Sequence, residues 1–190
     1  MMPPKAKITR DMIIEAGLKI VRTEGAENLN VRRVAAMLDC STQPVMYHFK
    51  AVSELKTAVY DAANEVHTAY IMTPDAQTEN PFLSIGLRYI QFAADEKHLF
   101  RFLFQSDSFQ NISFGDLMNA EGLAPVFAPL CQAAAITETQ AREVFEQMFI
   151  CVHGAASLIA NNSIPYEKAH FEEVLGKAFD GAVCALKGRA

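Results

Sequence analysis

The chain has 190 residues, 51% of them hydrophobic, and a formal net charge of −5. That is room for one medium domain, or a small domain beside a larger one, with a substantial core, and a sequence rich in Ala, Leu, Phe and Glu leans helical. Its four cysteines (Cys40, Cys131, Cys151 and Cys184) form no CxxC pair, so no disulfide framework, metal site or cofactor is expected and a cytoplasmic location fits best.

The N-terminus carries Lys5, Lys7 and Arg10 without an apolar h-region, which does not read as a secretory signal. The segment TRDMIIEAGLKIVRTEG then sets Ile13, Ala16, Gly17, Ile20 and Val21 on one helical face. It stops at Gly25, where a left-handed cap costs least. A second helix is expected after Asn30, a good N-cap, turning Val31, Val34, Ala35 and Leu38 to the same core. The break that follows, Asp39-Cys40, is very short, and Asp tolerates the left-handed conformation that a sharp turn needs. Ser41 can cap a third helix of one to two turns ending near Phe49. Two short helices joined so tightly form a helix-turn-helix, whose second helix is sized for a DNA major groove.

This stretch resembles the N-terminal DNA-binding domain of the TetR family of bacterial transcriptional regulators. The likeness rests on Ala16-Gly17, Gly25, Val34-Ala35, Leu38, Ser41, His48-Phe49 and Glu54-Leu55, and it spans about the first quarter of the chain without a gap. Asp39 stands where the family usually has Gly, Met46 where it usually has the first recognition-helix Tyr, and Val52 where a Lys commonly opens the fourth helix. The resemblance implies an all-α protein. Residues 1–50 would form a three-helix helix-turn-helix DNA-binding domain. Residues 51–190 would form a helical ligand-binding and dimerisation domain, with the helix at 51–72 connecting the two.

On the third helix, Thr42, Gln43 and Tyr47 would point away from the core pair Val45 and Phe49. Gln pairs with adenine through two hydrogen bonds, and Thr bonds a base edge or packs on a thymine methyl. Tyr47 and His48 can donate to phosphates and fix register, with Ser41 at the helix start. Arg32, Arg33, Lys50, Lys56 and the Lys5, Lys7, Arg10 arm can reach the DNA backbone, as can free N–H groups opening the fourth helix. For each of these residues taken singly, a solvated helix surface is the alternative. Charge distribution adds support: residues 1–56 hold nine Lys/Arg against six Asp/Glu, and residues 57–190 hold eight against sixteen. Such asymmetry suits a basic DNA-facing head on an acidic body, though +3 over 56 residues is unremarkable alone.

The fourth helix should carry Leu55, Val59, Ala62 and Val66 inward. TPDAQTENP at 73–81 reads as a loop, and Pro81 suits the first turn of the helix that follows. KHLFRFLFQ is a short segment, SDSFQNISFGD an irregular connection, and the helical stretch beyond it should bend near Pro125 and Pro129. Thr137 and Gln140 are spaced as a capping box opening a long helix that ends at Asn161-Asn162. A last helix runs from about Pro165 to Leu186. The longest apolar run, 148–160, is too short to span a bilayer and holds a His, so no membrane partner is expected.

Tyr89, Phe92, His98, Arg101, Phe104, Phe127 and Phe149 are candidates for an effector pocket, the rings supplying apolar surface and His98 and Arg101 orienting a ligand. Ordinary core packing explains the same rings. Few clustered cations lie in that region, so a small apolar or aromatic effector is expected over a phosphorylated one. The long penultimate helix is apolar over most of its circumference, and the last carries a continuous apolar stripe. With the family resemblance this implies a homodimer, its interface drawn from Val152, Ala156, Val174, Leu175, Ala178, Phe179 and Ala182, acting on a palindromic double-stranded DNA operator. No catalytic motif is present. The expectation is therefore a repressor, not an enzyme, released by its effector. Alternatives are an all-helical ligand-binding protein or enzyme with an incidental helical head, and a helical adaptor.

Overall fold

The computed structural model of the chain describes residues 8–75, 77–106, 113–118, 123–162 and 164–188. Among these residues the secondary structure is helical, with no strand: α1 Arg10–Glu24, α2 Val31–Met37, α3 Thr42–His48, α4 Val52–Ile71, α5 Pro81–Asp95, α6 Lys97–Phe104, α7 Phe114–Met118, α8 Ala124–Ala134, α9 Glu138–Asn162 and α10 Lys168–Lys187. Helix starts follow local chemistry. The Thr9 hydroxyl accepts from the Met12 N–H at 3.2 Å, and the Asn30 side chain accepts from Arg33 at 3.0 Å. Asn80 caps α5 by accepting from Phe82 and Leu83. Thr137 and Gln140 form the reciprocal pair that their spacing suggests, with the Thr137 N–H donating to Gln140 Oε1 at 3.0 Å and the Gln140 N–H to Thr137 Oγ1 at 3.4 Å. Such caps satisfy N–H groups that no helical carbonyl can reach. At the other end of α1, Gly25 adopts φ 91°, a conformation that side chains other than hydrogen strain to reach.

The chain divides into two compact units, and the first comprises residues up to His67 together with His98–Ser106. Its core joins Ile13, Ala16, Ile20 and Val21 of α1 to Val34 and Ala35 of α2, Val45 and Phe49 around α3, and Leu55, Ala58, Val59 and Ala63 of α4. The inward face of α4 differs from the expected stripe: Ala62 and Val66 are half-buried, while Ala63 and His67 take the interior. Helices α1 and α4 approach closely at Gly17, where an added Cβ would lie 2.5 Å from Val59 Cγ2. Helix α6 completes the unit from a later part of the sequence. Tyr60 donates to the Leu103 carbonyl at 3.3 Å and meets Phe102 edge-on, and His67 meets Phe104 edge-on at 5.0 Å. Burial pushes the His67 imidazole down to about 4, because the charged form would lose its hydration there. The grouping of α4 up to His67, and of α6, with the N-terminal helices extends this unit past the boundary at residue 50 read from the sequence.

The second unit comprises Thr68–Lys97 and the residues from Asp107 onward. Helix α5 packs on α8, α9 and α10, with Leu87, Ile90 and Ala93 buried from α5 against Val144, Met148, Val152, Ala156 and Ile159 of α9 and Leu175 of α10 in the same core. Gly86 lets three helices meet, since a Cβ there would stand 3.3 Å from both Leu175 Cδ1 and Val152 Cγ2. Pro125 sits in the first turn of α8 and Pro129 inside it, and Lys168, a little later than Pro165, opens α10. The expected irregular connection at 106–116 falls largely outside the described residues, as do Lys5 and Lys7. Helix α9, at 25 residues, is long and apolar enough by length and composition to cross a membrane, unlike the 148–160 run taken alone. It packs instead on α5, α8 and α10.

Candidate functional site

The turn between α2 and α3 holds Asp39 at φ 47°, in the left-handed region, and the Cys40 N–H donates back to the Ala35 carbonyl at 3.0 Å. That turn sets α3 on the rest of its unit through Val45, which is fully buried, and through Phe49 just past its end. The opposite side of the helix is exposed at Thr42, Gln43, Met46 and Tyr47, and at Lys50 beyond it. These positions recur at the spacing that keeps side chains on one helical face. Tyr47 is 71% exposed, and the Lys50 ammonium lies 5.5 Å from its ring centroid while donating to the Tyr47 carbonyl at 3.2 Å. Ser41 takes the N-cap backbone conformation and makes no side-chain cap bond.

The other residues expected at DNA divide by what they touch. His48 is half-buried, its Nε2 3.1 Å from the Ile8 carbonyl, so it ties the start of the chain to the end of α3. Arg10 reinforces this tie with its guanidinium 5.0 Å from the Phe49 ring centroid. Arg33 reaches back to α1, its Nε donating to Glu24 Oε2 at 2.9 Å. The hydrogen bonds of this pair hold the Glu24 carboxyl below its ordinary range and raise the Arg33 guanidinium. Arg32 is exposed beside it. At the start of α4 the Lys50 N–H donates to Glu54 Oε2 at 2.7 Å, so a carboxylate already answers an N–H there.

The seven pocket candidates fall in different places. His98, Arg101 and Phe104 belong to the first unit, and Tyr89, Phe92, Phe127 and Phe149 to the second. In the second unit an aromatic row runs along α9. Phe127 meets Phe145 at 5.5 Å, Phe145 meets Phe149 at 5.9 Å, and Phe149 stacks on His153 at 5.4 Å and 20°. Tyr89 closes the row, its hydroxyl 2.9 Å from His153 Nδ1, and the Arg142 guanidinium caps the far end 4.5 Å over Phe127. Burial lowers the His153 pKa, favouring the neutral ring. Phe92 faces elsewhere, edge-on to Tyr70 at 5.3 Å. His153 and Arg142 did not stand out as pocket residues in the sequence, although 149 and 153 share the helical spacing that would have linked them.

A second polar cluster of this unit had no sequence signal. Tyr70 donates to Asp95 Oδ2 at 2.6 Å, and Arg88 lies 4.2 Å over the Tyr70 ring while its Nε donates to the Tyr70 carbonyl at 3.2 Å. Desolvation first, then the bond to Asp95, raises the Tyr70 phenol far above its ordinary value. Nearby, Lys168 pairs with Asp75 at 2.6 Å, and its hydrogen bond is the main cause lowering the Asp75 carboxyl. Among the described residues no three His, Cys, Asp or Glu side chains gather as a metal site would require.

The expected interface residues of α9 and α10 face mostly inward. Val152, Ala156, Leu175, Phe179 and Ala182 are buried within the unit, Ala178 is half-buried, and Val174 is 44% exposed. The outer apolar side is instead marked by Ile150, Cys151, Gly154 and Leu158 of α9 and Val174 of α10. Ile150 is 57% and Leu158 55% exposed. An added Cβ at Gly154 would meet nothing within 4 Å.

No family model matches the sequence, and neither does any curated protein. Solved structures do match. A member of the TetR family from Streptomyces coelicolor A3, SCO1917, superposes with a TM-score of 0.59 at 20% identity, covering 89% of this chain and 96% of its own. The multidrug binding protein EbrR complexed with ethidium gives 0.61 at 20% identity, covering 93% and 99%. EbrR complexed with imidazole gives 0.59 at 21% identity, covering 89% and 93%. The chain thus has the fold of these proteins along most of its length, an N-terminal helix-turn-helix followed by a helical C-terminal part.

Proposed function

From a fold shared with a TetR-family member we infer that this chain is a DNA-binding transcriptional regulator of TetR type, a repressor and not an enzyme. The observation that carries this reading is α3, anchored by buried Val45 and Phe49 and presenting Thr42, Gln43, Tyr47 and Lys50 on its exposed side. Gln43 and Thr42 would read base edges. Tyr47, Lys50 and Arg32 would hold phosphates, and Arg33 and His48, engaged by Glu24 and the Ile8 carbonyl, would position the helix. Ser41 would lie at the groove edge. The regulator would act in the cytoplasm as a homodimer. Two copies would join through the outer side of α9 and α10 around Leu158 and Val174 and bind a palindromic operator with half-sites a DNA turn apart, ~34 Å or a multiple.

The effector would be a small, flat aromatic molecule. EbrR is described in complex with ethidium, a planar aromatic cation, and in this chain Tyr89, Phe127, Phe145 and Phe149 supply the rings such a ligand stacks on. It would release DNA only by favouring the arrangement that cannot bind, since equal affinity for both states shifts nothing. The deciding experiment is a gel-shift and footprint with DNA upstream of the gene. A protected palindrome is the expected result, and because ethidium itself intercalates into DNA its binding is checked on the free protein, where it should raise the melting temperature. Binding no tighter than to random DNA of the same length would overturn the reading.

A further inference from the structure

Resting on that DNA-binding reading, we propose that Met46 is a specificity-determining residue that reads a thymine methyl in the major groove. The exposed side of α3 holds Thr42, Gln43, Met46, Tyr47 and Lys50. All but Met46 carry a strong hydrogen-bonding group, whereas a thioether is at most a weak acceptor. Met46 is nevertheless 40% exposed, with buried Val45 beside it fixing the helix rotation that turns it outward. A phosphate gives such a side chain nothing, because backbone contacts are made by donors. In the major groove, the thymine C5-methyl is the apolar group the bases offer. Met46 lies one helical turn beyond Thr42 and Gln43, so its sulfur and terminal methyl reach a base pair next to the one Gln43 reads. A glutamine bonding adenine beside a methionine covering a thymine methyl makes an A·T-rich step the preferred centre of each half-site.

The test replaces each thymine of a bound operator fragment, one at a time, with deoxyuridine, which keeps every hydrogen-bonding group and lacks only the methyl. Affinity is measured for the full chain, Met46→Ala and Met46→Leu. The expected result is one thymine per half-site whose replacement weakens the unmodified protein by about fourfold, the worth of one buried methyl-sized group. Met46→Leu should keep that sensitivity and Met46→Ala should lose it. Specific binding indifferent to deoxyuridine everywhere, or a Met46→Ala protein as sensitive as the original, overturns the assignment of Met46 and leaves the DNA-binding reading standing. Absence of any sequence-specific binding by the unmodified chain overturns both.

Discussion

Asp39 holds the turn of the helix-turn-helix at φ 47°, where a side chain crowds its own backbone and Asp is tolerated better than most. Asp39→Val should therefore destabilise the protein by ~1–2 kcal/mol, and Asp39→Gly should leave it level or slightly more stable. Denaturant unfolding measures both, and a valine variant as stable as the parent would show that the turn bears no strain. On α3, Thr42→Ala and Gln43→Ala should each cost ~1–3 kcal/mol on specific DNA and relax base preference. Their side chains are exposed, so stability should hardly change. Arg32 and Arg33 separate sharply despite being neighbours. Arg32→Ala should weaken binding to all sequences and shallow the salt dependence by roughly one contact. Arg33→Ala should leave the slope alone, because Glu24 already holds that guanidinium. Equal slopes for the two variants would count against this division.

Among the elements, what was legible in the sequence is what is local. Asn30 and Thr137 announce their helices through cap bonds spanning three residues, and α1 shows its buried set in a clean period. The pairs Tyr70–Asp95 and Lys168–Asp75 join residues far apart in the chain, so no spacing pointed to them. Period also fails on a helix with two apolar sides. It reports that Val152, Leu175 and Phe179 are apolar, not that they turn toward α5 while Leu158 and Val174 turn out. Variants separate those two roles. Leu158→Glu or Val174→Glu should convert a dimer to a folded monomer with its helical content intact. Phe179→Glu should instead unfold the second unit, since it places a charge beside Phe82 in the core. Light scattering with circular dichroism distinguishes the outcomes, and a dimer unmoved by both exposed-site changes would put the interface elsewhere.

For the molecule as a whole, acid is the informative stress. An unfolded chain protonates His67 near pH 6.5, whereas the folded unit resists until about pH 4, so its stabilising share is full above 6.5 and drains as pH falls toward 4. The loss should reach roughly 3 kcal/mol, and His67→Leu should flatten that part of the stability profile. Parallel profiles for parent and variant would assign acid sensitivity to other groups. His67 also brings out a consequence of how the first unit is assembled. Its partner Phe104, like the Leu103 carbonyl that Tyr60 bonds, lies on α6, and residues 68–97 of the other unit intervene in the chain. During synthesis, α1 to α4 leave the ribosome with the inner side of α4 still uncovered at Tyr60 and His67. At ~5–20 residues per second the cover follows a few seconds later. The far half of α4 therefore cannot reach its finished packing until α6 has been made, and a nascent chain stalled before residue 106 would expose an apolar seam there to chaperones and proteases.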